Sequence, residues 1–409
     1  MSAPNSGAGP DTIDQADVTP LAVSQGGADA PMTESAQSQS VLCARHPGYV
    51  RRPKRVHVAL AGPTGVVGST FLRLMGERGA WLRDERDLEL TLVGAINRRR
   101  MFWNEEGTSP RTAVERLQGG SPQNWEEFAS RLASHRGAPL LFIDCTASED
   151  IARRYMTLLR SGIAVVTPNK IANSLEFSYY QELRRVSRQT GVPYLYETTV
   201  GAATPMVQTL QDLRRTGDAI HRVEGVLSGT LSYVFAGVNR GNPFSVAVRE
   251  AAERGLTEPH PASDLSGEDV ARKLLILVRE AGYRLERSDI TVEPLVPDEL
   301  RSIRDAGDYL RHIALYDGEY SERAARAAAG GKRLAYLARF DGSDAHAGVA
   351  EVGDESPFVH LRASENAVHY YTDRHSPLPL TIQGLGAGPE VTARGVLADV
   401  IHAALDVAA

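Results

Sequence analysis

The stretch VHVALAGPTGVVGSTFLRLM, residues 56–75, decides the fold of this chain. A short apolar run leads into a glycine-rich turn, and a helical pattern follows the turn. Because glycine has no Cβ, such a turn is sharp, and its N–H groups can approach a pyrophosphate at the start of the helix. The residues expected closest to a bound dinucleotide are Gly62, Gly65, Val66, Val67 and Gly68. The alternative is a turn that only packs a strand against a helix, and the position at the head of a βαβ unit favours the dinucleotide site.

Four further apolar stretches alternate with helical patterns after this unit. They are LELTLVGAINRRR (88–100), PLLFIDCTAS (139–148), IAVVTPNK (163–170) and VPYLYET (192–198). Strands and helices that alternate at this spacing predict an α/β fold with a Rossmann-type, doubly wound parallel sheet. Residues 51–205 are therefore expected to form a dinucleotide-binding domain.

The pattern changes after residue 205. Residues 219–238 indicate a strand, a glycine turn and then a strand or a helix, and three helical segments follow between residues 244 and 315. Four strands are predicted in the next stretch: RLAYLARF (333–340), FVHLRA (358–363), AVHYYT (367–372) and PLTIQG (379–384). We expect residues 206–383 to form an inserted α+β domain. Residues 384–409, a glycine loop and a helix, are expected to return to the first domain.

Residues 1–50 are expected to form a disordered tail. The first 45 residues contain no aromatic residue, are rich in Ser, Ala, Gly and Gln, and have little to bury. They lack the basic start and apolar segment of a secretory signal, and they are too acidic for a transit peptide.

The composition excludes some classes of partner. A net charge of −6 gives no general support for nucleic-acid binding. No run approaches the roughly 18 apolar residues that a membrane span needs. Cys43 and Cys145, the two cysteines, are too few for a disulfide framework, so reduced thiols in the cytoplasm are expected.

The second strand ends in a basic turn at Asn97 and Arg98, followed by two more arginines. An acidic residue near this position would hold the ribose 2′-OH of NAD(H), whereas arginine suits the 2′-phosphate of NADP(H). NADP(H) is therefore preferred and NAD(H) remains an alternative, as does a solvated basic turn without a ligand. Thr146 and Ser148, at the end of the third strand, are expected to line the nicotinamide pocket.

Charged side chains stand at the start of the helix DLSGEDVARKLLIL, residues 264–277. Asp269 and Lys273 are four residues apart and share one helix face. They could form a plain ion pair, but their apolar surroundings favour a catalytic pair. Ser266 could also cap the helix, with Asp269 completing a capping box. Lys170 follows the fourth strand at its carboxyl end, where ligands bind in parallel sheets.

Five stretches together resemble homoserine dehydrogenases, most closely the dehydrogenase portion of bifunctional aspartokinase–homoserine dehydrogenases. They are VVTPNKIANS, YETTVGAATP, GVLSGTLSYVF, GLTEPHPASDLSGEDVARKLLIL and GLGAGPEVTARGVLAD. The resemblance covers residues 55–405. The glycine turn departs from the family's G-x-G-x-x-G pattern, because one extra residue separates Gly62 from Gly65. No stretch resembles the aspartokinase portion or a regulatory domain, so threonine feedback is not expected.

The resemblance implies reduction of L-aspartate 4-semialdehyde to L-homoserine by NAD(P)H. It makes Lys273 and Lys170 the acid/base candidates, with Asp269 orienting them. Glu258 and Asp264 would bind the α-ammonium group of the substrate.

The resemblance also implies a monovalent cation, sodium, at Glu197, Val200, Ala202 and Thr204. It places Gly388 near the cofactor, and it implies a homodimer formed through the inserted substrate and dimerisation domain. Two rival interpretations are a related semialdehyde reductase and a catalytically silent dinucleotide-binding protein.

Overall fold

The structure is a computed structural model that describes residues 53–362 and 364–408, and the backbone alone of Arg301. The predicted disordered tail, residues 1–50, and with it Cys43, lies outside the described residues. Within the described part, no helix is both long and apolar enough to cross a bilayer.

The first sheet has seven strands, and five of them form its parallel core. The strands are β1 (Lys54–Ala61), β2 (Leu88–Ile96), β3 (Arg100–Thr108), β4 (Ser121–Pro122), β5 (Leu140–Asp144), β6 (Ala164–Val166) and β7 (Tyr194–Leu195). Their order is β4-β3-β2-β1-β5-β6-β7. Strands β2, β1, β5, β6 and β7 run parallel to their neighbours, which confirms the predicted Rossmann-type sheet.

Helices fill the connections of this sheet. They are α1 (Val66–Arg86), α2 (Ala113–Gln118), α3 (Trp125–Ser134), α4 (Glu149–Ala152), α5 (Tyr155–Arg160), α6 (Ile171–Ser174) and α7 (Phe177–Thr190). The helical pattern after PLLFIDCTAS forms two short helices, α4 and α5, with a break at Arg153 and Arg154.

The sequence analysis does not predict β3 and β4, which pair antiparallel at the edge of the sheet. The second half of β3 contains Asn104, the exposed Glu105 and Glu106, and Gly107. Such a stretch has no apolar alternation, because an edge strand buries only part of its length. The basic turn after β2 is therefore the turn of a hairpin.

The second sheet has six strands and a layer of helices. Its strands are β8 (Ile220–Val226), β9 (Ile290–Val292), β10 (Lys332–Phe340), β11 (Ala345–Gly353), β12 (Glu365–Thr372) and β13 (Leu380–Leu385), in the order β13-β12-β8-β10-β11-β9. The remaining helices are α8 (Met206–Arg215), α9 (Gly229–Asn239), α10 (Phe244–Glu253), α11 (Ala262–Leu265), α12 (Glu268–Ala281), α13 (Ala306–His312), α14 (Asp317–Ala329) and α15 (Pro389–Val407). All strand pairs of this second sheet are antiparallel except β9 with β11, which run parallel.

Two expectations for this half need correction or completion. The strand predicted at FVHLRA is wrong, because Pro357–Val359 form a short 3₁₀ turn that Ser356 caps. The alternating apolar residues of this stretch imitate a strand, whereas proline at its start favours a turn. The open choice after the glycine turn resolves to the helix α9, where the Ser228 hydroxyl accepts the N–H of Leu231 at 3.2 Å.

The core covers both faces of the first sheet. On one face, Val58 of β1 packs in a cluster with Phe71 of α1 and Val400 of α15. On the other face, Ala59 of β1 shares a cluster with Phe142 of β5. Neighbouring residues of one strand enter different clusters because successive side chains point to opposite faces. Burial of each large side chain contributes about 1.5–3 kcal/mol, so this core holds the carboxyl ends of β1, β5 and β6 in place.

Candidate active site

The turn between β1 and α1 requires glycine at two positions. Gly62 has φ +79°, and a Cβ there would lie 2.8 Å from the carbonyl oxygen of Cys145. A Cβ on Gly68 would lie 2.1 Å from the carbonyl oxygen of Gly62. The N–H of Gly65 donates to that same carbonyl at 3.1 Å, so the turn closes on itself. Among the described residues, no side chain caps the start of α1, and its first N–H groups can therefore meet an anion.

A cleft of about 1240 Å³ opens in front of this turn. The structure brings six of the predicted cofactor residues together in its lining: Gly62, Gly65, Asn97, Arg98, Thr146 and Ser148. The other five, Val66, Val67, Gly68, Lys170 and Gly388, do not line this cleft in the described structure. Val66, Val67 and Gly68 form the first turn of α1, and Gly388, with φ +125°, precedes the first residue of α15.

The basic turn after β2 is held by one amide side chain. The Asn97 Oδ1 accepts the N–H groups of Arg99 and Arg100, both at 2.9 Å. The guanidinium of Arg100 donates to the carbonyl of Gly120 at 3.0 Å, while Arg98 is exposed and lines the cleft. Because this turn has no carboxylate, it presents positive charge where a ribose 2′-substituent would lie.

Trp125 and Arg154 are among the residues of the cleft lining that the sequence analysis does not name as site residues. The guanidinium of Arg154 lies 5.1 Å from the ring centroid of Trp125, within the range of a cation–π contact. The same guanidinium pairs with Glu126 at 3.1 Å. The one sequence signal that could indicate these residues is Trp125, an aromatic residue in an otherwise polar stretch. The sequence analysis does not predict α3, the helix that begins with it.

Two lysines share one carboxylate where α12 meets the loop after β6. The Lys273 Nζ donates to Asp269 Oδ2 at 2.8 Å, and the Lys170 Nζ donates to Asp269 Oδ1 at 3.1 Å. Lys273 also donates to the carbonyl of Leu227 at 2.7 Å, and its side chain is 11% exposed. Burial alone would raise the pKa of Asp269, but the charges and hydrogen bonds of the two lysines outweigh burial and hold it well below its usual range. The carboxylate is therefore ionised.

The predicted capping box at the start of α12 is wrong. Gly267, with φ +74°, is the N-cap, and no side chain in the described part of the chain caps the helix. The Ser266 hydroxyl accepts the N–H of Glu268 at 3.2 Å and donates to the carbonyl of Ser263. Because Gly267 and not Ser266 is the N-cap, the helix begins one residue later than predicted. Asp269 therefore faces the lysines, and its side chain does not reach back to the N-cap residue.

A buried network positions the loop that contains Lys170. Asp144, at the end of β5, accepts the Asn169 amide at 3.1 Å, the Thr146 N–H at 2.8 Å and the Tyr155 hydroxyl at 2.5 Å. Burial raises the pKa of Asp144, and these hydrogen bonds offset the shift in part. Asn169 precedes Lys170 directly, so the network fixes the backbone from which that lysine extends. The sequence analysis misses these contacts.

Glu258 and Asp264 lie in one turn of chain before α12. The Asp264 Oδ2 accepts the N–H of Glu258 at 2.8 Å, and the side chain of Glu258 is exposed. Burial raises the pKa of Asp264, hydrogen bonds offset this in part, and the nearby charges of Glu258 and Asp269 add to it.

The turn proposed for a cation is strained and contains the half-buried Glu197, next to the buried Asp399. Ala202 has φ +51°, which L-residues rarely adopt, and the Thr204 hydroxyl donates to the carbonyl of Leu385 at 3.1 Å. The Glu197 carboxylate accepts two N–H groups at the start of α8, and its own N–H donates to Asp399 at 3.1 Å.

Burial raises the pKa of Glu197 to about 7. Burial, followed by the charge of Glu197, raises the pKa of Asp399 to about 8. Val200, which ends the 3₁₀ turn after Glu197, is fully buried in the same segment. All four residues predicted to bind a cation therefore lie in one short segment, residues 197–204.

Two family models match the chain. The one described as "Homoserine dehydrogenase, NAD binding domain" matches residues 64–197, and the one described as "Homoserine dehydrogenase" matches residues 205–401. Together they include helix α1 and both lysines of the pair, and the first match ends at Glu197.

Known proteins resemble the chain in sequence and in fold. The maize chloroplastic bifunctional aspartokinase/homoserine dehydrogenase 1 is 35% identical over 399 residues, which cover 96% of this chain and 43% of that relative. The chain thus spans less than half the length of this relative. A solved structure of a Candida auris protein of unknown function has a TM-score of 0.78 and 32% identity, and the match covers 86% of this chain and 99% of that one.

A hyperthermophilic archaeal homoserine dehydrogenase in complex with NADPH has a TM-score of 0.65 at 21% identity. The match covers 86% of this chain and 98% of that one, and at this identity the likeness concerns the fold alone. The two family models, in chain order and over most of the described residues, show that the chain belongs to the homoserine dehydrogenase family of NAD(P)-dependent oxidoreductases.

Proposed function

We propose that the chain catalyses the reduction of L-aspartate 4-semialdehyde to L-homoserine, with NADPH as the preferred cofactor. The observation that carries this proposal is the pair of ammonium groups on Asp269. When bound, the cofactor supplies a hydride to the aldehyde carbon. The aldehyde oxygen then becomes an alkoxide, which needs a proton from a donor positioned in a largely water-free site.

We assign that proton donor to the lysine pair. Lys273 is buried, and Asp269 and the carbonyl of Leu227 fix the direction of its ammonium group. Lys170 reaches the same carboxylate from the carboxyl end of β6, where ligands bind in parallel sheets. Asp269 orients both lysines. Asp264, with Glu258 beside it, provides the negative charge that an α-ammonium group requires.

An assay of homoserine oxidation with NADP⁺ and with NAD⁺ tests this proposal. We expect absorbance of the reduced nicotinamide to appear with homoserine, and aspartate semialdehyde to compete better than a semialdehyde with a longer chain. Better competition by the longer homologue would favour a related semialdehyde reductase. Cofactor binding without turnover of any of these substrates would favour the catalytically silent alternative.

The preference for NADPH is assigned to Arg98. We expect Arg98→Ala to raise the KM for NADPH by about 10- to 150-fold, because a charge-assisted hydrogen bond contributes about 1.5–3 kcal/mol. The KM for NADH should change little, since NADH has no 2′-phosphate. Steady-state kinetics with both cofactors measure this. Arg78→Ala, which removes an exposed arginine of α1 outside the cleft, is the control. An unchanged ratio of the two KM values in Arg98→Ala would remove Arg98 from the phosphate site.

We also propose a monovalent cation, sodium, at the turn of Glu197, Val200, Ala202 and Thr204. Oxygen donors suit a hard cation. The half-buried Glu197 lies in the turn and the buried Asp399 lies next to it, and a cation bound there would favour the ionised forms of both carboxyl groups.

Replacement of sodium chloride by choline chloride at constant ionic strength is expected to lower activity several-fold. Sodium should restore the activity, because the small ion alone can enter the turn. The effect is measured as the enzyme activity at constant ionic strength while sodium is added back. Equal activity in both salts would contradict the site.

We propose that residues 51–205 and 206–383 act as the dinucleotide-binding domain and the substrate and dimerisation domain. The two separate sheets and the extents of the two family matches support this division. A homodimer and a cytoplasmic location stay predictions. The maize relative is named as chloroplastic.

A further inference from the structure

A cluster of two histidines and a carboxylate lies away from the lysine pair. His57 is in β1, Glu105 is in β3, and His135 follows α3. One ring nitrogen from each histidine and one carboxylate oxygen all lie within 4.8 Å of one another. His57 precedes Gly62 by five residues along an extended strand, which is about 16 Å. The proposed reaction does not use this cluster.

The hydrogen bonds of His135 leave one of its nitrogens without a good partner. Its Nε2 lies 3.1 Å from the carbonyl of Ala138 and 3.1 Å from the Nδ1 of His57. A carbonyl only accepts, so the proton of a neutral ring belongs on Nε2. The Nδ1 then has a lone pair. This Nδ1 is buried, and among the described residues it has no hydrogen-bond partner.

The carboxylate of Glu105 lies beside this lone pair. Its Oε2 is 2.9 Å from the His135 Nδ1, but the two atoms do not have the geometry of a hydrogen bond. Two acceptors at this distance repel each other unless a positive charge lies between them. Donors at about 2.1 Å from one ion, at right angles or in a tetrahedron, are about 3–3.4 Å apart. The observed separation is close to that of two ligands of one metal ion.

Neighbouring groups orient the cluster as they do in metal sites. The Trp103 indole donates to the other oxygen of Glu105 at 2.6 Å, which leaves Oε2 free to face the histidine. The Ala138 carbonyl fixes the ring of His135. A partner of this kind is usual behind a histidine ligand. Gly137 leaves room for both rings, since a Cβ there would lie 3.1 Å from the ring of His135 and 3.2 Å from that of His57.

We propose that His57, Glu105 and His135 bind a transition-metal cation of the Zn²⁺ class. Two imidazoles and one carboxylate are ligands that zinc accepts, and water would complete the coordination. The ligands come from β1, from the edge strand β3 and from the loop after α3. A bound ion would therefore cross-link the antiparallel edge of the first sheet to its central strand, and its role would be structural.

Calorimetric titration of the metal-free full chain with ZnCl₂ tests this proposal. We expect one zinc ion per chain and a rise of the Tm with zinc. Glu105→Gln should weaken zinc binding at least about tenfold, as the loss of a group supporting a metal site typically does. Because Glu105 is exposed, the fold is expected to survive this change. His135→Gln should abolish binding at the same zinc concentrations.

His221→Gln is the matched control. His221 also pairs with a carboxylate, Asp373 at 2.6 Å, but this pair is exposed and is not part of the cluster. The control should bind zinc as the natural chain does. Absence of zinc binding in the natural chain would overturn the proposal and leave His135 as a protonated partner of Glu105. Equal zinc affinity in Glu105→Gln and the natural chain would overturn it as well.

Discussion

Replacement of Lys273 by alanine is expected to lower kcat by about 10²–10⁴-fold, which is the usual contribution of a positioned acid or base. The expected loss is large because Lys273 is the buried member of the pair, and two oxygen atoms fix its ammonium group. Water is a poor substitute as a proton donor in such a place. The dissociation constant for NADPH should stay within a few-fold of the natural value, since Lys273 does not line the cofactor cleft.

Steady-state kinetics and fluorescence titration with NADPH separate these two effects. Arg272→Ala is the control, because Arg272 is the preceding residue of α12 and is exposed. Its kcat should remain close to that of the natural chain. A Lys273→Ala variant that turns over normally, or that loses NADPH binding and nothing else, would contradict the assigned role. Lys170→Ala shows in the same assays which of the two lysines has the larger effect.

The second large effect is expected from Asp269→Asn, which should lower kcat by about 10²-fold or more. An amide keeps the size of the side chain but removes the negative charge that both ammonium groups share. The two lysines would then repel each other and leave their positions. Because one carboxylate serves two lysines, this neutral substitution should affect the reaction as strongly as the loss of a lysine.

Kinetics at several pH values, together with thermal unfolding, measure this prediction. The matched control is Glu268→Gln. Glu268 is the neighbouring carboxylate, and it pairs with Arg287 at 2.7 Å. Its substitution should leave kcat nearly unchanged. A normal kcat in folded Asp269→Asn would show that the two lysines do not need their shared partner.

The parallel core of the first sheet could be predicted because buried strands are short apolar runs and helices separate them. The edge strand β3 could not, because it buries only half of its length and its outer half contains Glu105 and Glu106. The stretch at Phe358 shows the opposite error, because a strand is predicted where none forms. Its apolar residues alternate because Phe358 and Leu361 pack in a small hydrophobic cluster at a 3₁₀ turn. Local pattern therefore identifies buried strands well and edge strands poorly.

Some contacts of the candidate site could likewise be predicted from the sequence, and others could not. The spacing of Asp269 and Lys273 follows from the helix period, so this pair could be predicted from the sequence. The contact of Lys170 with the same carboxylate depends on how the two sheets lie together, and no local pattern contains it. The sequence does not predict the hydrogen-bond network around Asp144 either, because a carboxylate at the end of a strand usually faces solvent.

The two partners of Lys273 have a stereochemical consequence. An ammonium group has three N–H bonds, and Asp269 and the carbonyl of Leu227 accept two of them. The third bond then points in a single direction. An aldehyde oxygen that accepts it must approach along that line, and the α-ammonium group proposed to bind at Asp264 would give the substrate a second fixed point. With both ends held, the same prochiral face of the carbon would meet the nicotinamide in every turnover. An enzyme built in this way delivers hydride to one face only.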